Sequence, residues 1–510
     1  MPEQYPDHLP IIVGAAQHVN RPGDDFGPDF DSPMDLAAKA CTAALQDAGI
    51  AAGHVDAIGV VRLFSDTAPA WASPFGGSNN PPESIAQRIG ARPRERIYTD
   101  AGGTAPLTLM MELCQAIGRG EQDIALITGV EAIANQRRAL RAGMEADWHE
   151  EHDAPLDNRP YSKRTVSEQE IKSGMTLPAH YYALIENLQA SKMGHDLVAH
   201  RQHMAQMMAP FSEIAANNPY AQFPTRYSVE DILTIDRGNY PIATPFSKRL
   251  IAQDAVNQSA ALVITSVGKA RELGVAPEQW IFLTAYAEGE ERFMSQREDM
   301  SRSEAMSRVF SYTLDMAQAS PPDMDHIDIY SCFPCAVQAA CDVMRLPTDG
   351  SVPLTVTGGL PYFGGPGNNY CMHAMVEMAQ RVRGTDQRSL VTSNGGQLSK
   401  HAAVVFRHRP SPDELVDWGK TDIFRVQPED LPEVPMAEGA DEGTVLTWTV
   451  VEKRDKPSLG IVLATTAEGG RFYCTSSDPA TTTAMNNASP VGARITTHRD
   501  DQYLRFSLAG

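Results

Sequence analysis

The feature that most constrains this chain is an alternation, over its first 130 residues or so, between short apolar runs and segments with helical spacing. Pro10 to Gln17 (PIIVGAAQ) is an apolar run suited to a buried strand. Asp31-Ser32-Pro33 supplies a helix start, MDLAAKACTAALQDAG keeps apolar residues at helical spacing, and Gly49 stops it. Asp56 to Phe64 (DAIGVVRLF) is strand-like, Glu83 to Gly90 a short helix, and Arg96 to Asp100 a strand. The AGGTAP turn then leads into a helix from Leu107 to about Ile117, and Asp123 to Val130 (DIALITGV) is another buried strand. Strands without polar alternation, interleaved with helices, predict a sheet covered on both faces.

The rhythm breaks between about Asn135 and Asn239, a polar stretch rich in His, Met and Asn that suggests helix and loop laid over the sheet. It resumes at Ala260 to Ser266 (AALVITS), and a second α/β block follows from Trp280. The blocks share a layout. AGGTAP, a helix and DIALITG in the first correspond to GGPGNN, a helix and SLVTSNGG in the second. Pro410 to Pro435 is polar and Pro-rich, and beyond it TVLTWTVVEK, LGIVLATTAEGGRFYCTS and QYLRFSLAG suggest short strands with Gly turns. The expected division is a first α/β half (1–134 with 246–270), a helical insertion (135–245), a second half (271–410), a linker (411–435) and a β-rich module (436–510).

Charge and composition remove whole classes of function. A formal net charge of −21 repels phosphates over most of the surface, which argues against nucleic acid and anionic membranes as partners. MPEQYPDHLPIIVGAAQ has neither a basic n-region nor a long apolar core, so no signal peptide is expected, and no run approaches the ~20 apolar residues of a membrane span. The seven cysteines lack framework spacing, which suits reduced thiols in a cytoplasm.

Several segments in this order resemble the thiolase superfamily. AIGRGEQDIALITGVEAIA is similar to the helix, turn and strand after the thiolase nucleophile. GGLPYFGGPGNNY sits where thiolases carry a Gly-Gly turn and a Gly-His-Pro motif, IDIYSCFPCAV where they carry Asn-Glu-Ala-Phe or His-Asp-Cys-Phe, and SNGGQLSKHAAVVF resembles their closing hairpin. FSEIAANNPYAQFPTRYSVEDI and YPIATPFSK look like the insertion of the sterol-carrier-linked branch. The pattern, covering about residues 10 to 408, most resembles thiolase-like proteins often labelled acetyl-CoA acetyltransferases. The resemblance implies an α/β protein with a duplicated thiolase fold (layered α/β/α/β/α), a helical insertion and a small C-terminal all-β, OB-like domain. It also implies a coenzyme A thioester as substrate and no tightly bound cofactor. Thiolase cores usually form dimers, so a homodimer is an open expectation that the added domain could prevent.

The departures matter more. The same register puts the nucleophilic cysteine of thiolases at Gly103, their Gly-His-Pro histidine at Gly365, and their acid/base cysteine near Thr392 to Asn394. Claisen chemistry needs a thiolate to hold the acyl group and a base to take the α-proton, and glycine supplies neither.

Three features could replace the lost groups. Cys332 lies just before a helix expected to begin near Pro334, where the helix end favours a thiolate; its other reading is a small buried apolar residue. Tyr330 stands at the Asn or His of the family's oxyanion motif. Together with Tyr362 it is similar to the loop tyrosines of thiolase-fold aldolases, which lack the cysteine and work with a small barrel partner; ordinary packing is the alternative for both. His401, in Ser399-Lys400-His401 on the closing hairpin, is a candidate base, or a solvated turn residue. Gly103, Gly365 and Gly396 sit in loops whose backbone N–H groups could bind a thioester oxygen. One Cys332-x-x-Cys335 pair is a weak zinc signal, and His180, His195, His200 and His203 have no repeating acidic ligand, so no metal is expected. The functional expectation is an acyl-CoA-handling enzyme that makes or breaks a C–C bond without the usual cysteines, by retro-aldol cleavage or atypical acyl transfer. Its rival is a catalytically silent acyl-CoA-binding or partner-assembly protein.

Overall fold

The computed structural model describes residues 5–508 apart from 22, 24–26, 28–29, 160–164, 454–456 and 501–502. The first half runs β1 (Pro10–Val19), α1 (Pro33–Ala48), β2 (Ala57–Val60), α2 (Pro81–Ile89), β3 (Glu95–Tyr98), α3 (Ala105–Gly118), β4 (Ile124–Ala132), α4 (Ile133–Ala142) and β5 (Asp157–Asn158). α1 begins and ends where its caps dictate. Ser32 and Asp35 form a capping box, Pro33 occupies the first turn, and Gly49 closes the helix at φ 67°. β4 is buried along its whole length, which is why its sequence shows no alternation.

The insertion holds α5 (Glu168–Lys172), α6 (Pro178–Met193), α7 (Leu197–Asn217), α8 (Val229–Leu233) and the short strands β6 (Pro241–Ala243) and β7 (Phe246–Ser247). β8 (Asn257–Ser266) and α9 (Val267–Glu272) return to the first half. The second half is β9 (Ile281–Glu290), α10 (Glu304–Met316), β10 (His326–Asp328), α11 (Pro334–Met344), α12 (Tyr370–Val382), β11 (Arg388–Gly395) and β12 (Lys400–Arg407). After β13 (Phe424–Val426) come β14 (Glu442–Val451), β15 (Leu459–Thr465), β16 (Arg471–Ser476), α13 (Pro479–Asn487), β17 (Arg494–Asp500) and β18 (Tyr503–Leu508).

The halves share one sheet in the order β10-β11-β12-β9-β1-β8-β4-β2-β3-β5, joined by the antiparallel pair β1–β9. α3 and α12 pack on each other in the middle, each against strands of both halves. The duplicated order expected from the glycine turns therefore gives the expected layered α/β architecture. The stretch expected as a linker does more than connect, because β13 lies parallel beside β9 with Phe424 opposite Ala287.

The C-terminal module is a five-stranded barrel, closed because β14 pairs with both β15 and β17. Trp448, Val462, Phe472 and Phe506 fill its core. It is bonded to the insertion through Asn187 on α6, whose amide donates to the carbonyls of Thr244 (2.8 Å) and Trp448 (2.7 Å). Thr447 donates to the Leu184 carbonyl at 2.6 Å. β6 extends the barrel sheet through Ala243 opposite Val451, and the β6–β7 hairpin straddles the boundary expected at residue 245. No helix among the described residues is long and apolar enough to cross a membrane.

Candidate functional site

Four loops meet at one end of the central sheet. Gly102 (φ 140°) and Gly103 lead into α3, and the Gly102 N–H donates to Asn368 Oδ1 at 2.9 Å. Asn368 belongs to the Gly364–Asn369 loop before α12, and its own amide donates to the Arg62 carbonyl at 2.8 Å. The β11–β12 turn supplies Asn394 and Gly395, and the segment after β10 supplies Tyr330 and Cys332.

Tyr330 points at Gly103. A Cβ built on Gly103 would stand 2.2 Å from the Asn394 carbonyl oxygen and 2.7 Å from the Tyr330 hydroxyl. The space into which a side chain at 103 would project is thus filled by a phenol and a backbone oxygen. Tyr330 is fixed by its N–H to Thr392 Oγ1 (3.2 Å) and by an edge contact with Tyr370 at 5.3 Å. Below them Asp328 ties the loops together: it accepts from Thr355 Oγ1 (2.8 Å), the Val356 N–H (2.9 Å) and Tyr370 (3.0 Å).

Cys332 joins this cluster in the second of its two expected readings, as a buried side chain rather than an activated thiolate. α11 does start at Pro334, but the thiol is buried, and burial pushes it up to about 12 although Tyr182 and Asn394 hydrogen-bond to it. A helix end acts through partial charges, and desolvating a thiolate outweighs it here. The Asn394 amide reaches the sulfur at 3.4 Å and the Tyr182 hydroxyl at 2.8 Å. Tyr182 itself accepts from the Leu398 N–H and donates to the Gly396 carbonyl, both at 3.0 Å, and its ring stacks on Phe333 at 4.2 Å. Sequence reading missed Tyr182. Its one signal was the pair of aromatic residues in an insertion helix, and α6 proves to be buried from Ala179 to Ala190.

Two expected residues do not join. His401 lies in β12 rather than a turn and is buried opposite Asn394. Strand alternation turns Lys400 toward the glycine loop, with Nζ 3.1 Å from Asp100, and turns His401 to the other face, near Glu291 and Arg297. Its Nε2 donates to the Leu398 carbonyl (3.1 Å), and burial holds it at about 4, so it is a neutral packing residue at pH 7. Tyr362 is buried against Tyr227 of the insertion, and its hydroxyl has no hydrogen-bond partner among the described residues. Gly365 takes its place in the α12 loop with its N–H on the Gln253 carbonyl at 2.8 Å. Gly396 (φ 62°) turns the β11–β12 hairpin.

A further buried acid stands beside these loops. Glu131, at the end of β4, accepts from the Phe64 N–H at 2.7 Å, and a Cβ on Gly367 would come within 2.2 Å of its Oε1. Burial is the main cause that lifts its carboxyl to about 8; the Phe64 N–H opposes the rise, and Asp66 and Asp254 add to it.

This layered, duplicated architecture with four converging loops defines a thiolase-like α/β fold. The family described as the thiolase-like protein type 1 additional C-terminal domain matches residues 426–502. Over 99% of its length the chain superposes on all of the crystal structure of a monomeric SCP2-thiolase-like protein type 1 from Mycobacterium smegmatis, at TM-score 0.83 and 32% identity. The chain belongs to this SCP2-thiolase-like protein type 1 family. It is also 23% identical over 394 residues to an acetyl-CoA acetyltransferase of Methanothermobacter thermautotrophicus, spanning 73% of this chain and 90% of the relative. The fold extends to the Ltp2-ChsH2(DUF35) aldolase, at TM-score 0.57 and 16% identity over 79% of this chain and 98% of that one.

Proposed function

We propose that this chain is a catalytically silent acyl-CoA-binding protein on a thiolase scaffold. The observation that carries the reading is Tyr330, whose phenol fills the space in front of Gly103 and leaves no seat for a covalent acyl intermediate. Cys332 is no substitute, since its hydrogen-bond partners Asn394 and Tyr182 are neutral and the thiol stays protonated at physiological pH. Acyl-CoA is inferred as the ligand class from the acetyl-CoA acetyltransferase relative and from the retained glycine loops. All seven cysteines are free and buried, which suits a reducing cytoplasm. The M. smegmatis relative is described as monomeric, and β5 here covers the outer edge of β3, so we read the chain as acting as one copy.

A second reading, carbon–carbon cleavage of a β-hydroxyacyl thioester, is favoured by one observation. The Tyr330 hydroxyl makes no hydrogen bond with the described residues, which leaves it as a donor for a developing oxyanion. An acyl-CoA mixture incubated with the wild type, Cys332→Ala and Tyr330→Phe, and read by intact mass, product analysis and calorimetry, separates these readings. Saturable binding without adduct or product in all three is the expected result. An acyl adduct that disappears in Cys332→Ala would overturn it in favour of acyl transfer, and cleavage lost in Tyr330→Phe in favour of the lyase.

A further inference from the structure

The turn between β11 and β12 holds a residue whose chemistry disfavours its backbone. Leu398 has φ 56°, a left-handed conformation in which a leucine Cβ crowds the following carbonyl, and its side chain is buried. A residue held in this way persists where its neighbours fix it from several sides, and such residues gather at functional sites. The Leu398 N–H donates to the Tyr182 hydroxyl at 3.0 Å, and the Leu398 carbonyl accepts from His401 Nε2 at 3.1 Å. Arg297 brackets it: Nη2 donates to the Gln397 carbonyl at 2.8 Å and to Ser399 Oγ at 2.9 Å.

Arg297 is itself buried, on the segment between β9 and α10, and the barrel holds that segment. Arg471 opens β16, where its backbone pairs with Thr465 of β15. Its buried guanidinium leaves the barrel and donates to three carbonyls of the segment, those of Ser295 (3.0 Å), Glu298 (3.0 Å) and Arg297. A planar guanidinium spread over three backbone oxygens fixes the path of a chain, because its donors point in set directions. The insertion grips the same segment from another side, where Glu170 Oε1 accepts from Ser295 Oγ at 2.8 Å.

We propose that Arg471 is a positioning residue, through which the C-terminal barrel sets the β11–β12 turn over Gly103. The contacts run without a gap. Arg471 fixes the Arg297 carbonyl, and the Arg297 side chain fixes both neighbours of Leu398. The same hairpin carries the Asn394 carbonyl that closes the space at Gly103 and the Lys400 ammonium beside Asp100. The barrel thus braces the glycine loops, a role that does not depend on which ligand those loops take.

Hydrogen exchange of the full-length chain, read on peptides covering residues 394–400, tests this, with alkylation of Cys332 by iodoacetamide as a second reporter because Asn394 covers its sulfur. In Arg471→Met, exchange across the turn is expected to quicken by about 10-fold or more, the effect of losing charge-assisted hydrogen bonds from a local opening. Cys332 then labels in the native state, while Cys474 in the barrel core stays protected and shows the barrel intact. Arg297→Met gives the same pattern, and Arg471→Lys, which keeps a donor, falls between it and the wild type. Should Arg471→Met fail to fold, Arg471→Lys and Arg297→Met carry the comparison. Turn exchange unchanged in the folded Arg471 variants, or Cys332 and Cys474 becoming reactive together, overturns the proposal and leaves the barrel a packed neighbour.

Discussion

Gly103 and Gly365 stand at corresponding points of the two halves, and neither has a backbone angle that demands glycine. Their surroundings differ. At Gly103 a Cβ would collide with a backbone oxygen at 2.2 Å, whereas at Gly365 its nearest neighbours are Ala252 Cβ at 3.3 Å and the Gln253 carbonyl at 3.4 Å. A side chain at 103 is excluded by the packing, while one at 365 needs only a slight give. The first position is closed by its surroundings, and the second is nearly open.

The largest effect that could break this contrast is at Gly103. Gly103→Ala should destabilise by about 3 kcal/mol or more, since the Asn394 carbonyl cannot yield without moving the hairpin. Urea midpoints at constant slope measure this, and a loss below about 0.5 kcal/mol would erase the distinction. Next comes Glu131, beside the second loop. Its folded carboxyl at about 8 keeps a proton that the unfolded chain releases above its ordinary 4.5. Between those values the folded state binds more protons, so its contribution to stability falls as pH rises, by at most about 1.4 kcal/mol per pH unit. Glu131→Gln lacks that slope, and its stability relative to wild type should climb steadily from pH 5 to pH 8. Parallel curves for the two proteins would show the acid to be solvated.

Smaller effects sharpen the picture. Cys332→Ala should cost about 1–2 kcal/mol by removing a buried sulfur held by Asn394. In the wild type this thiol should resist alkylation at pH 8 until the chain unfolds, as peptide mapping of the labelled protein would reveal; rapid native labelling contradicts the buried, protonated thiol. The smallest shift is expected for Gly365→Ala, within about 1 kcal/mol, because every contact of the new methyl is near normal separation.

What the sequence made legible follows from the range of the interaction behind it. α1 could be bounded from Ser32, Pro33 and Gly49 because caps act within one turn. β4 showed itself as an unbroken apolar run, and the convergence of Gly103, Tyr330 and Cys332 followed from the family's motif order. Tyr182 could not be found in that way. Its hydrogen bonds to Asn394, Leu398 and Gly396 cross more than two hundred residues of chain, and no local pattern announces them. The orientation of His401 was available in principle, since in a strand Lys400 and His401 must face opposite ways, but reading the segment as a turn hid the alternation. β6 and β7 are three and two residues long and display no period at all.

The pairing of Ala243 with Val451 also orders events at the ribosome. The hairpin that borders the barrel is made long before the strand it joins, so for much of synthesis Asn187 can reach the Thr244 carbonyl but not its second acceptor, the Trp448 carbonyl, which is not yet translated. The insertion therefore lacks its contacts with Thr447, Trp448 and Val451 until β14 emerges, and a nascent chain halted before that strand would offer the uncovered surface to chaperones and proteases.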